Sequence, residues 1–296
     1  MGAIWGVPYL FIKVAVEHMS PPVVVFGRTS IAALPLLFFA ARTGALGRTL
    51  PHWRPVLAFA ALEMALPWFL LTDAERHLPS GLTGLLIACV PIVGAIAAFV
   101  LGDRLALAPR RLAGIALGLA GVTLLVAGDL SGEAPWWSIV EVLLVCVGYA
   151  TAPFIVVRRL SDVPDIGVVA VSLTAVAIVY APIAWFTRPD DPPPGRAWLA
   201  VVALGLLCTA AAFVIFFQLI AAIGPARATL ITFVNPAVAI AVGALVLDER
   251  ITAVTVGGFV LVLAGCWLAT RLAPATAAPP RVVEPVGGPP VVTDGR

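Results

Sequence analysis

Charged residues are scarce in this chain of 296 residues: they make up 11% of it, whereas hydrophobic residues make up 61% and the mean hydropathy is +1.06. A soluble domain carries roughly 25% charged and 45–50% apolar residues, so this composition excludes one. A bilayer offers no hydrogen-bond partner to the backbone, so only helices or a closed barrel can span it, and long unbroken apolar runs are typical of helices. The composition therefore predicts an all-α integral membrane protein.

Other absences exclude whole classes of function. The four cysteines stand apart from one another in apolar runs, so neither a disulfide framework nor a metal site is predicted. The three histidines lie at the ends of apolar runs, and no Ser/His or His/Glu constellation accompanies them, so we predict no catalytic residues and no enzyme. The chain lacks a G-x-x-x-x-G-K-[ST] loop, and its arginines are dispersed. We therefore expect no cofactor, no direct use of ATP and no nucleic-acid partner.

Ten apolar runs are long enough, at ~20 residues per crossing, to predict membrane spans. We place them at 1–17, 22–41, 55–73, 80–101, 112–128, 136–157, 166–186, 197–217, 226–246 and 251–270. The connections between them are short, the longest running from Arg42 to Arg54. Residues 273–296 are rich in proline and glycine and lack helical periodicity, which predicts a disordered tail.

The arginines outside the spans are distributed unequally between the two sides. Twelve fall in the tail and in the loops on the side of the N-terminus, whereas the other side receives only Arg76, Arg188, Arg196 and Arg250. Since cytoplasmic loops carry the excess of positive charge, this predicts that both termini are cytoplasmic.

The two halves of the chain repeat a pattern. The stretch LPSGLTGLLIACVPIVGAIAAFVLGDRL at 78–105 resembles IGPARATLITFVNPAVAIAVGALVLDERI at 223–251, and Pro91 and Pro236 lie 145 residues apart. Residues 1–128 and 136–272 then hold five spans each, and an odd number makes the second half enter the membrane from the opposite face. Such an inverted repeat is typical of secondary transporters, which bind their substrate near the midplane.

These features carry a resemblance to a known family. The sequence resembles the EamA family of the drug/metabolite transporter superfamily. The features that carry the resemblance are Trp5, Gly6 and Lys13 in the first span, Gly27–Arg28 in the second, the two proline-centred spans, and GDR at 102–104 with DER at 248–250. The resemblance covers about residues 1–272. It implies a ten-helix inverted-repeat carrier in a bacterial plasma membrane that exports amino acids, other metabolites or toxic compounds. The family carries several more apolar residues before its WG, so we expect a start codon upstream of Met1.

Three ionisable residues within the spans are the first candidates for the site, because a charge in hydrocarbon costs ~2.5–3.5 kcal/mol and needs a partner or a cavity. Glu63 lies nine residues past Arg54, ~13 Å into a ~30 Å core. It is interpreted as a contact for a substrate amine or as a proton-coupling carboxylate, the alternative being an ion pair with Lys13 or Arg28. Lys13 and Arg28 lie at a shallower depth in the membrane than Glu63, and both are interpreted as lining a central cavity. The alternative for Lys13 is that its side chain reaches the outer headgroups.

Aromatic and amide side chains complete the candidate set. Trp5, Tyr9 and Lys13 follow at i, i+4 and i+8 on one helix face, which suits the lining of a cavity, the alternative for Trp5 being packing against lipid. Tyr149 lies in the span that the repeat equates with the first. Asn235 either binds substrate or caps the carbonyl that Pro236 leaves free. We predict helix kinks at four prolines, which are Pro67, Pro91, Pro153 and Pro236.

Together these features favour a secondary transporter that exports a small amino-acid-like or amphipathic metabolite by alternating access, with or without protons as a coupling ion. The alternatives are an uncoupled facilitator or an importer, a non-transporting scaffold, and an intramembrane enzyme. The expected partners are a small-molecule substrate and the lipid bilayer.

Overall fold

Helices account for nearly all of the regular structure in the computed structural model, which describes residues 1–100, 109–129, 135–223 and 234–270. No strand occurs in these four ranges. The predicted GDR stretch at 102–104 and the predicted tail at 273–296 lie outside the described residues.

The first half is built from helices that often abut one another within a span. They are Gly2–Gly6, Pro8–Val16, Pro21–Arg42, Ala45–Thr49, Trp53–Ala60, Leu66–Ala74, Ser80–Ile87, Val90–Val100 and Pro109–Asp129. Residues Leu50–His52 form a 3-10 turn and Ala61–Ala65 form a π turn. The predicted loop between Arg42 and Arg54 is therefore largely helical, because Gly44 adopts a left-handed φ of 69° and lets the chain turn at once into the next helix.

The second half repeats this arrangement. Its helices are Trp136–Arg159, Asp165–Phe186, Gly195–Gly205, Ala212–Ile223, Asn235–Val246 and Ala253–Thr270, with a second π turn at Leu206–Ala211. Pro236 stands in the first turn of its helix, where a missing N–H costs nothing, and Pro91 does the same in Val90–Val100. Pro153 lies inside a continuous helix.

Five helical segments are long and apolar enough to cross a membrane. They are Pro21–Arg42, Ala45–Ala74, Trp136–Arg159, Asp165–Phe186 and Gly195–Leu219. Shorter apolar helices occupy Gly2–Val16, Ser80–Gly94, Leu112–Leu125, Asn235–Val246 and Ala253–Leu268, which overlap the remaining predicted spans. The prediction of an all-α membrane protein is confirmed.

Helices of one half pack mainly on helices of the other. Pro21–Arg42 packs on Asp165–Phe186, Ser80–Ile87 on Asn235–Val246, and Pro109–Asp129 on Ala253–Thr270. In the first and third pairs the two helices begin 144 residues apart, close to the repeat offset, whereas Ser80–Ile87 and Asn235–Val246 belong to the two repeated stretches 78–105 and 223–251 but begin 155 residues apart. The repeated segments therefore meet each other across the interface between the halves, as expected where an approximate two-fold axis relates them.

The outer surface is apolar. Leu245 and Phe186 are more than four-fifths exposed, which suits contact with lipid tails and not with water. The tryptophans that lie at helix ends are also exposed, as in an interfacial aromatic belt, and they are Trp53, Trp136, Trp137, Trp185 and Trp198.

Candidate functional site

Arg28 is held in the interior between the halves. Its side chain is 8% exposed, Nε donates to Thr209 Oγ1 at 2.9 Å, and the guanidinium carbon lies 3.7 Å from the centroid of the Trp68 ring. The helices cross closely here because Gly27 and Gly205 lack side chains: a Cβ added at Gly205 would lie 3.1 Å from the Arg28 carbonyl oxygen. A stacked guanidinium is well placed to present its remaining N–H groups to an anion.

Thr209 belongs to the second π turn, Leu206–Ala211. Its hydroxyl donates to the Leu204 carbonyl oxygen at 2.8 Å and accepts from Arg28, so it links a main-chain group in the second half to the guanidinium of the first. π turns inside helices occur frequently at functional sites.

Glu63 belongs to the first π turn, Ala61–Ala65. Pro67 follows this turn and has no N–H to donate to the previous turn of the helix, which explains why the regular hydrogen-bond pattern fails there. The Glu63 side chain is partly buried, and its Oε2 atom has no hydrogen-bond partner among the described residues. No ion pair from Glu63 to Lys13 or Arg28 is formed in that part of the chain.

Neighbouring elements support the first π turn from outside. Tyr180 donates its hydroxyl to the Ala65 carbonyl oxygen at 2.9 Å. Gly148 lets the helix Trp136–Arg159 approach the Leu62 carbonyl so closely that an added Cβ would collide with it. The carboxylate therefore stands on a segment that is fixed by a long helix and a tyrosine of the second half.

Tyr149 belongs to the long helix Trp136–Arg159 and packs against the core cluster that contains Trp68. Its hydroxyl is within electrostatic reach of both Glu63 and Arg28. We call Arg28, Glu63, Trp68, Tyr149 and Thr209 the central cluster. It combines a cation, a carboxylate with an unpartnered oxygen, two hydroxyls and an aromatic face.

The remaining candidates of the first span are spread along its length. Tyr9 is buried, and its hydroxyl is within electrostatic reach of Tyr149, Glu75 and Arg28. Trp5 packs against Phe213 and Phe216, with ring centroids 6.1 and 4.8 Å away.

Asn235 begins the helix Asn235–Val246, beside the first span. Its carbonyl oxygen would lie 2.8 Å from a Cβ added at Gly6, so the two backbones are in close contact. The helix Gly2–Gly6, which carries Trp5 and Gly6, also contacts the second π turn, Leu206–Ala211, to which Thr209 belongs.

Lys13 is found at the end of the molecule that also holds Glu17 and Glu75. Its ammonium donates to the main-chain carbonyl oxygens of Glu75 at 2.7 Å and Leu78 at 2.9 Å, which lie just beyond the helix Leu66–Ala74. A cation at these carbonyls complements the negative end of the helix dipole. A cavity of about 200 Å³ opens here, lined by Lys13, Val16, Glu17, Glu75, Arg76 and His77.

Sequence reasoning did not select Trp68 or Thr209 as site residues. A signal for Thr209 exists, since it follows Glu63 by 146 residues, the same spacing that separates Arg104 from Arg250. Equivalent positions in the two repeats therefore carry a carboxylate and a hydroxyl. Trp68 carries no such signal, because only the fold reveals that Arg28 stacks on it.

Comparison with protein families finds a match over most of the sequence. The profile of the EamA-like transporter family matches residues 1–127 and 136–271.

Curated relatives are described as transporters. The chain is 31% identical over 253 residues to the uncharacterized inner membrane transporter YedA of Escherichia coli K12, covering 81% of this chain and 78% of that one. It is 25% identical to a probable amino-acid metabolite efflux pump of the same organism, with 90% of each chain covered. A probable terminal-alkyne amino-acid exporter of Streptantibioticus cattleyicolor is 26% identical, again with 90% of each chain covered.

A solved crystal structure has the same fold. It matches with a TM-score of 0.64 and 23% identity, and the alignment covers 92% of this chain and 95% of that chain. Fold, family profile and relatives therefore agree on a membrane transporter built from two repeats, with no enzyme among the relatives named above.

Proposed function

Because this chain belongs to the EamA-like transporter family, we propose that it is a secondary carrier that exports a small zwitterionic metabolite from a bacterial cell by alternating access. The observation that carries the proposal is the central cluster, in which a buried guanidinium and a carboxylate both reach Tyr149. Two relatives described as exporting amino-acid compounds are in keeping with such a substrate.

The guanidinium of Arg28 is suited to the anionic end of the substrate. Among the described residues it makes one hydrogen bond, from Nε to Thr209, while its face rests on Trp68. The planar fork of terminal N–H groups matches a carboxylate in bidentate geometry. Stacking on Trp68 also fixes the plane of the fork, so less side-chain freedom is lost when a ligand binds.

The carboxylate of Glu63 is suited to the cationic end. Its Oε2 atom has no protein donor in the described part of the chain, and leaving such a buried acceptor unpaired costs about 1–3 kcal/mol. An ammonium group on the substrate would supply the missing donor and a compensating charge. The hydroxyl of Tyr149, within electrostatic reach of both charges, can donate a hydrogen bond to the substrate or accept one from it.

The cluster lies where the halves meet, which is where an alternating-access carrier needs its site. Arg28, Glu63 and Trp68 come from the first half, and Tyr149 and Thr209 come from the second. A rocking motion of one half against the other would expose a substrate held between them to each side in turn. The excess of arginines on the N-terminal side supports an orientation in the plasma membrane with both termini in the cytoplasm.

The test compares the metabolites in spent medium from bacteria that overproduce the wild type, Glu63→Gln or Glu17→Gln. The last is a matched control, because Glu17 is an exposed carboxylate paired with Arg196 at 3.1 Å. Wild type and Glu17→Gln should enrich a compound with both an amine and a carboxylate, and Glu63→Gln should not. No enriched compound, or only compounds that lack one of these groups, would refute the proposal.

Proton coupling through Glu63 is a second candidate, supported by the unpartnered oxygen of a carboxylate inside a span. In proteoliposomes, Glu63→Gln would then lose accumulation driven by a pH gradient but keep substrate exchange. If Glu63 binds the amine, exchange fails as well. Unchanged gradient-driven transport excludes coupling at this residue, and transport that no gradient affects even in the wild type identifies an uncoupled facilitator.

A further inference from the structure

Glu249 reaches from the second half of the chain to the start of a helix in the first. Its Oε1 atom accepts a hydrogen bond from the Ser80 N–H at 2.6 Å, and Oε2 accepts one from the Gly81 N–H at 2.9 Å. Ser80 is 1% exposed and Glu249 is half-buried. Both bonds are thus partly shielded from water, which would otherwise compete for these donors.

The helix Ser80–Ile87 depends on this carboxylate for its cap. The first N–H groups of a helix have no partner within it, and Pro79 at the N-cap makes no side-chain hydrogen bond. A carboxylate at this point makes charge-assisted hydrogen bonds and also meets the positive end of the helix dipole. Glu249, in the second half, therefore supplies the hydrogen-bond acceptors that the N-cap residue Pro79 does not provide for this helix.

The backbone around Glu249 is shaped to hold the carboxylate in this position. Asp248 adopts a left-handed φ of 55°, and the Glu249 N–H donates to the Gly243 carbonyl oxygen at 3.2 Å, so the chain turns back on its helix. A Cβ added at Gly243 would collide with Oε2, and one added at Gly81 would lie 3.2 Å from it. The contact is therefore a built socket between the halves.

This contact joins the helices Ser80–Ile87 and Asn235–Val246, one from each half, which pack so closely that a Cβ added at Gly84 would collide with Ala239. Tyr9 lies against the same helix, 3.4 Å from that added Cβ, and within electrostatic reach of Arg28. Separating the two helices at the Glu249 end would uncover Tyr9 and open a route to the central cluster. Such a separation breaks both bonds of Glu249.

We propose that Glu249 is a positioning residue for transport, a latch whose carboxylate keeps the molecule closed at the predicted outer end until the halves rock apart. The proposal rests on the proposed carrier function, because only alternating access requires this closure to open in every cycle. The latch acts on the balance between outward-closed and outward-open states and does not touch the substrate.

The experiment measures the accessibility of a cysteine placed at Tyr9. Tyr9→Cys is combined with Glu249→Gln, and a membrane-impermeant methanethiosulfonate is applied either to intact cells or to inverted membrane vesicles. The four native cysteines are buried, so the parent protein gives the labelling background. Glu17→Gln is the matched control, since Glu17 also contacts the second half, through Arg196, but on the exposed surface.

Loss of the latch should raise labelling from outside about tenfold and lower it from the cytoplasmic side, because the population shifts from one state to the other. Gly243→Ala keeps the carboxylate but fills its socket, and should shift labelling in the same direction. Glu17→Gln should leave both rates unchanged.

Two outcomes overturn the latch: unchanged labelling in Glu249→Gln, or labelling that rises from both sides, as a generally loosened protein would give. Either result leaves the proposed function intact if the wild type still enriches a zwitterion in the medium. A one-sided rise in labelling without any exported zwitterion would support the latch and refute the substrate proposal.

Discussion

Replacing Arg28 by lysine tests the central cluster most directly, because the charge remains and only its geometry changes. Lysine loses the Nε bond to Thr209 and the planar face that lies 3.7 Å above Trp68. It also offers a point charge in place of a fork, so a bidentate contact with a carboxylate loses one charge-assisted hydrogen bond. Such a bond contributes about 1.5–3 kcal/mol, which corresponds to a rise of about 10- to 150-fold in KM for a zwitterion.

Counterflow in proteoliposomes measures this effect with an exported amino acid and its methyl ester. The KM of the zwitterion should rise in Arg28→Lys, whereas weak transport of the ester, which has no carboxylate, should change little. Arg42→Lys is the control, because Arg42 also stacks on an aromatic ring, Phe38 at 4.8 Å, but is exposed. An unchanged KM for the zwitterion, or an equal loss for the ester, would refute a carboxylate site at Arg28.

Three further substitutions test supporting features. Lys13→Met should lower the free energy of unfolding by about 1–3 kcal/mol in a denaturant titration, since two carbonyl oxygens lose their donor, and unchanged stability would contradict this. Glu75 follows the span Ala45–Ala74; burial raises the pKa of its carboxyl, partly opposed by the charge of Lys13. The folded state therefore favours the protonated form, so wild-type stability should fall as pH rises above the ordinary carboxyl range, and Glu75→Gln should remove that slope. Pro67→Ala restores a helical N–H, so it should relax the first π turn, raise the melting temperature and slow transport; full activity would show that the turn is dispensable.

Hydropathy and repetition predicted most of the architecture. The apolar runs became helices because a bilayer leaves the backbone no other way to satisfy its hydrogen bonds. The repeated stretches 78–105 and 223–251 were recognised from the sequence, whereas the packing of Ser80–Ile87 on Asn235–Val246 was found only in the structure. Glu63 was selected because a carboxylate within hydrocarbon is costly unless it has a use. The structure leaves its Oε2 atom without a hydrogen-bond partner among the described residues, and its role in binding or coupling stays a prediction.

Details that depend on main-chain geometry could not be predicted. The partners of Lys13 are carbonyl groups, which every residue possesses, so no side-chain pattern distinguishes them. The π turns leave no periodic trace, because one extra residue in a turn is hidden where all neighbours are apolar. Glu249 belongs to the DER motif at 248–250 that was recognised in the sequence. Its role as a helix cap depends on the left-handed backbone of Asp248, which could not be predicted from the side chains.

The two π turns make the two halves of the site chemically different, although the repeated architecture alone would make them equivalent. A ligand lying across a two-fold axis between identical half-sites would fit equally well after being turned end over end. Here one half-site carries the carboxylate of Glu63 and the other the hydroxyl of Thr209, so the two orientations differ in energy. In the proposed mechanism, a zwitterionic substrate would therefore bind with its ammonium end at Glu63 in every transport cycle, and not in two equivalent orientations.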